Sequence, residues 1–226
     1  MSQAGAILGS VKEIRFPSGL VIEDPLERLL RFCREEYEYY DAVPPGDPNR
    51  IEPLDILATV GINSRIDTAA KVRTVHRGMS AATNSLLEGI PEDAQLHLFG
   101  NLDPVHDLFA AAMTTKFVLL ATATKVLHRK RTGLIPIMDS VVVGHYVRDD
   151  AAEKALFQRS FENRTAAADI GRLTVARLRE DLLDKFDAVD ALRHRLGSEG
   201  FHLSHVRITD ILVWTERELA GSYRGA

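Results

Sequence analysis

Asp139 and the cations upstream of it are the residues of this chain whose types and spacing suit a reaction. The run Lys116-Phe-Val-Leu-Leu-Ala-Thr-Ala-Thr-Lys125-Val-Leu-His128-Arg129-Lys130-Arg131 leads through Gly133 and Pro136 to Asp139-Ser-Val-Val-Val-Gly-His145. A carboxylate at the start of a helix can take a proton or stabilise developing positive charge, and clustered cations can steer phosphate. Each feature also has a purely structural reading. Asp is among the best N-caps, and cations in a last helical turn complement the dipole and its unpaired carbonyls. Both readings stay open at the level of sequence.

The elements that must position these groups are helices. Leu119, Leu120, Ala123, Val126 and Leu127 recur at spacings of three and four, which predicts a helix over about 117–131. Gly133 closes it, and Pro136 holds Ile135 extended before a second helix at 139–147. The same periodicity predicts helices at about 52–60, 68–88, 104–112, 150–163 and from Ser204 onward. Asp24-Pro25-Leu-Glu27 starts another, with Asp24 as N-cap and Cys33 on its apolar stripe, ending before the exposed Pro-rich connector 43–49. A long helix over 166–196, carrying Val175, Leu178, Leu182, Phe186, Val189, Leu192 and Leu196, is expected to pack within the chain or to pair two copies as a homodimer. Residues 1–22 read as an extended segment or hairpin around Pro17-Ser18-Gly19. The fold class is therefore mainly α: a compact multi-helix domain over 1–226 with at most a small N-terminal β-hairpin.

The order helix, apolar connection ending in Pro136-x-x-Asp139, then Val-rich helix resembles the latter part of the helix-hairpin-helix DNA glycosylases. That resemblance implies a DNA partner, base excision served by Asp139, and phosphate steering by Lys116, Lys125, His128, Arg129, Lys130 and Arg131. In that family a glycine-rich hairpin grips DNA phosphates with its backbone. The matching stretch here, Thr115-Lys-Phe-Val-Leu119, contains no glycine, and Ala121 falls where the bifunctional members carry a nucleophilic lysine. Schiff-base chemistry is therefore not expected. More broadly, Leu-Ile-Pro136-Ile-Met-Asp139 together with Leu203-Ser-His-Val-Arg-Ile-Thr-Asp210-Ile-Leu-Val-Trp214 resembles an uncharacterised bacterial family of helical proteins. The rival reading is a non-enzymatic helical protein-interaction module.

Composition narrows the remaining classes. Hydrophobic residues at 45% and charged residues at 27% suit a folded globule, while the net charge of −4 confines any phosphate contact to a local patch. A second basic stretch, Lys71-Val-Arg73-Thr-Val-His76-Arg77, either faces solvent or joins the 116–131 cluster. One cysteine excludes an internal disulfide and fits a cytoplasmic setting; no signal core or membrane span is expected. His202-x-x-His205 does not gather three ligands on one face, and no phosphate-binding loop or dinucleotide fingerprint occurs, so neither metal nor cofactor is expected.

Overall fold

Alternation in Glu13-Ile14-Arg15 and Val21-Ile22-Glu23 turns Ile14 and Ile22 inward, and the computed structural model, which describes residues 11–219 with side chains as far as Glu216, pairs them across a two-stranded antiparallel hairpin. Strands β1 (Glu13–Arg15) and β2 (Val21–Glu23) are the only sheet among the described residues. Gly19 takes φ 85 in the turn, a conformation that glycine adopts without steric cost.

Ten α-helices follow among the described residues: α1 (Pro25–Glu36), α2 (Pro53–Ala58), α3 (Ala69–Glu88), α4 (Asp103–Ala112), α5 (Leu120–His128), α6 (Ser140–Tyr146), α7 (Ala151–Ser160), α8 (Arg164–Asp184), α9 (Phe186–Ser198) and α10 (His205–Leu219). Short 3-10 turns extend α1 over Tyr37–Tyr39 and α2 over Thr59–Ile62. The mainly helical expectation holds in this respect. Helix α8 is the hub, packing against α4, α5, α6, α7, α9 and α10. Gly171 permits that closeness: a Cβ there would stand 2.9 Å from Leu120 and 3.1 Å from Phe109. One apolar core runs from Ile14 to Val213 and includes Cys33, whose thiol burial pushes up to about 12.

Two local expectations are corrected. The single helix over 166–196 breaks at Lys185, whose φ of −116 and ψ of 23 leave the helical region. Its apolar stripe continues, but α8 packs mainly against α7, α4 and α6, whereas α9 turns toward α1 and α10. Val175, Leu178, Leu182, Val189, Leu192 and Leu196 are buried within the chain and Phe186 is partly buried against the same core, the intramolecular packing of the two expected arrangements. Asp24 does not cap α1 with its side chain; it adopts φ 48 and ψ 54, and Pro25 sets the first turn.

Candidate functional site

Helix α5 turns the basic run inward, contrary to a solvent-facing phosphate patch. Lys125, His128, Arg129, Lys130 and Arg131 are all buried, and Arg131 has 0% of its surface exposed. Their partners are backbone carbonyls, because the Pro-rich connector 43–49 passes over the end of α5. Arg129 donates to the carbonyls of Tyr40, Val43 and Pro44 at 3.3, 3.2 and 2.7 Å. Lys130 Nζ donates to those of Pro45 and Asp47 at 2.6 and 2.9 Å. Arg131 reaches Pro48 and Ile90, the latter from two nitrogens at 3.0 and 2.7 Å, and also the Asn49 side chain and the Leu87 carbonyl. Proline donates no backbone N–H, so a connector rich in it is poorly paired with itself and presents acceptors to these side chains.

Asp55 on α2 balances the charge. Its Oδ1 lies 3.1 Å from Arg129 Nε and its Oδ2 2.6 Å from Lys130 Nζ, with both pairs withdrawn from solvent. Asp55 also accepts the Glu52 N–H at 2.8 Å in a capping box at the start of α2. Breaking one partner of such a pair strands a buried charge, at a cost of about 3–5 kcal/mol. The exposed connector is therefore exposed on one side only.

Lys125 and His128 are equally committed. Lys125 Nζ donates to the Ile62 carbonyl at 2.5 Å, and burial lowers its basicity while the Asp139 carboxylate partly restores it. The His128 Nδ1–H donates to the Ile135 carbonyl at 2.6 Å, since a carbonyl can only accept. Burial, with Arg207 adding to it, pushes His128 down to about 4, so the ring is neutral near pH 7. Its ring stacks on Tyr40, whose hydroxyl donates to the Lys125 carbonyl.

Asp139 is the N-cap of α6: its Oδ1 accepts the N–H groups of Val141 and Val142 at 2.9 and 3.0 Å. The connection before it is held from the opposite side by α10. Asp210 accepts the Ile137 N–H at 2.8 Å and Arg207 at 2.7 Å, while Arg207 grips Asp41 through two bonds of 2.9 and 3.1 Å. Burial against the pull of Arg207 raises Asp210 to about 7; the two carboxylates in turn keep Arg207 charged despite its own burial. The sequence pattern through 203–214 contains both Arg207 and Asp210, three apart on one helix face, but nothing local pointed to Asp41 or Asp55.

Of the candidate set only Lys116 is exposed, and it lies elsewhere. Residues 113–119 form a tight connection between α4 and α5, and Phe117 at its apex takes φ 69. The Phe117 side chain is 47% exposed, and Leu119 beside it 55%. Lys116 Nζ stands 4.9 Å from the Phe117 ring centre, and Lys71 of α3 reaches the same ring at 5.9 Å. The second basic stretch thus joins the hairpin through Lys71, not the 125–131 cluster. Beneath the apex Thr115 is buried against Gly78, where an added Cβ would meet Thr115 Cγ2 at 2.4 Å; its Oγ1 has no hydrogen-bond partner among the described residues. The close helix contact fixes the base of the hairpin and leaves its tip outside.

The structure also forms a polar cluster that the sequence did not signal, where the β-hairpin meets α6 and α8. Ser18 donates its hydroxyl and its N–H to Asp181 at 2.5 and 2.9 Å, Tyr146 donates to the same carboxylate at 3.0 Å, and His145 Nε2 lies 3.0 Å from Ser18 Oγ. These bonds dock the turn. Ser18 directs its proton to the carboxylate and not to the histidine, so the order differs from that of a serine nucleophile activated by histidine. Among the described residues no three His, Cys, Asp or Glu side chains are grouped to hold a metal ion, and no helix is long and apolar enough to cross a membrane.

Compared with known proteins, the chain belongs to the family of unknown function DUF6308, which it matches over residues 28–217. That span takes in α2 to α9 completely, and with them the basic run, the hairpin and Asp139. No curated protein and no solved structure matches it.

Proposed function

We propose that the protein binds DNA through the hairpin between α4 and α5, with Lys116 and Lys71 meeting phosphate, and that the 125–131 run serves the fold. The observation that carries this reading is Phe117. A bulky side chain held at φ 69 costs on the order of 1–2 kcal/mol, and such conformations concentrate where a surface must present a particular shape. Here it sits where the resembled glycosylases carry their phosphate-gripping hairpin, and two lysines converge on it. The left-handed turn supports the same chain path without glycine. Two cations are a small electrostatic footprint, so the affinity is modest and steeply salt-dependent, in keeping with a net charge of −4.

Asp139 is the residue through which base excision would run under the resemblance, but its cap bonds already account for its position. The test has two arms. Anisotropy titrations of labelled duplex DNA at several salt concentrations should lose affinity and salt slope in Lys71→Glu/Lys116→Glu, and unchanged titrations overturn the hairpin reading. Base release from lesion-containing duplexes, lost in Asp139→Asn while binding persists, would add catalysis to binding. A specific observation favours the second reading, a protein-interaction module: Tyr39, Leu54, Leu57 and Val60 leave an apolar face exposed on and beside α2.

A further inference from the structure

We infer that Phe117 is a stacking platform for an unpaired DNA base, so that the hairpin selects single-stranded or locally opened DNA over intact duplex. This rests on the hairpin reading above and deepens it by naming the form of DNA. Phosphate contact alone needs cations and backbone N–H groups, not an aromatic ring. Yet the apex carries Phe117, 47% exposed, although a ring of that size is normally drawn into a core. Its ring is met by two ammonium groups, Lys116 at 4.9 Å and Lys71 at 5.9 Å. Both ammonium groups lie over the ring, and Lys71 also pairs with Asp67 at 2.8 Å and donates to the Arg65 carbonyl at 3.2 Å; a base that stacks on the ring displaces them toward its adjoining phosphates, the pairing of aromatic ring and cations that single-strand binders use. In a duplex the bases are stacked on one another and present no free face to such a ring.

The base of the hairpin supports presentation of this ring. Thr115 is wedged against Gly78, and Arg164 at the start of α8 donates to the Thr114 carbonyl at 3.0 Å. Leu119, 55% exposed on the far side of Val118, adds an apolar shoulder. The left-handed φ of 69 at Phe117 turns the chain at this point, and glycine would adopt it at lower cost. Glycine would supply the turn alone; the phenylalanine adds an exposed ring to it.

Phe117→Gly tests this directly, because it removes the ring while favouring the same backbone turn. Titrations of the full chain with single-stranded oligo-thymidine and with a duplex of matched length should show the wild type preferring the single strand. Phe117→Gly should weaken single-strand binding on the order of ten-fold, leave duplex binding almost unchanged, and abolish quenching of a 2-aminopurine base in the strand. Phe117→Trp should restore both, with its own fluorescence quenched on binding. Equal wild-type affinity for the two DNA forms overturns the inference, as does a Phe117→Gly variant that keeps single-strand affinity while Lys71→Glu/Lys116→Glu loses it. That last outcome leaves phosphate binding by the hairpin intact. Absence of binding to either DNA at low salt removes both readings together.

Discussion

The basic run at the end of α5 and the hairpin at its start flank the same short helix, yet their cations have opposite fates. Arg129, Lys130 and Arg131 are enclosed by connector carbonyls and Asp55, while Lys116 faces solvent beside an exposed ring and Lys71 reaches in from α3. Density of positive charge along the sequence does not distinguish them. What distinguishes them is whether an acceptor-rich segment crosses the site, and the Pro-rich stretch 43–49 does so only at the C-terminal end. A cluster of cations is a binding surface only when the fold has left its hydrogen-bonding capacity unused.

The largest expected effect lies at the buried end. Asp55→Asn removes the carboxylate shared by Arg129 and Lys130, leaving two buried cations with carbonyls alone, and should destabilise the protein by about 3–5 kcal/mol. Urea unfolding of variant and wild type measures this. A loss below about 1 kcal/mol would mean that solvent reaches these cations, and the contrast between the two ends of α5 would fail.

Acid should loosen the same end. His128 is held down to about 4 from an ordinary 6.5, so the unfolded chain binds its proton more readily than the folded one. Its contribution is therefore complete above pH 6.5 and disappears as pH falls toward about 4, with a total on the order of 3 kcal/mol. His128→Asn keeps a donor for the Ile135 carbonyl but cannot take up the proton. Its unfolding free energy should fall less steeply between pH 7 and pH 4 than that of the wild type; parallel curves would show that the ring is not held neutral.

A smaller effect separates cap from charge at Asp139. Asp139→Ala should cost about 1 kcal/mol by freeing the Val141 and Val142 N–H groups, whereas Asp139→Asn should be nearly neutral because the amide oxygen accepts the same bonds. Thermal unfolding of the two variants checks the difference, and an Asn variant as damaged as the Ala variant would require the charge itself.

Much of the helical order was legible because apolar spacing of three and four survives in α3, α4, α8 and α10, and because Asp139 and Ser204 stand at helix starts as capping residues should. The break at Lys185 was not legible, since the apolar period runs through it unbroken while the packing partners change. Nor was the burial of Arg129, Lys130 and Arg131: their partners on the connector lie more than eighty residues away in sequence, and carbonyls leave no signature in residue type. Asp24 misled for a local reason, as Asp before Pro signals a cap but Asp also tolerates the left-handed region it adopts here. For the hairpin, the absence of glycine concealed a turn that Phe117 makes with positive φ.

The smallest effect on the fold is expected at the exposed end, and it sharpens the comparison most. Lys116 contacts Phe117 from solvent, and the half-buried Lys71 pairs with Asp67 and donates to the Arg65 carbonyl at the surface, so Lys71→Gln/Lys116→Gln should change unfolding stability by less than about 1 kcal/mol. Any DNA affinity should nevertheless fall, and the salt slope should decrease by about two, near one for each phosphate contact removed. A matched replacement of Arg129 and Lys130 should do the reverse, lowering stability first and affecting DNA only through unfolding. If instead the α5 C-terminal pair changes the salt slope of a protein that remains folded, the connector must lift from its carbonyl bonds when DNA arrives, and phosphate binding belongs to the buried end. If neither pair changes it, the exposed apolar face of α2 becomes the surface to probe.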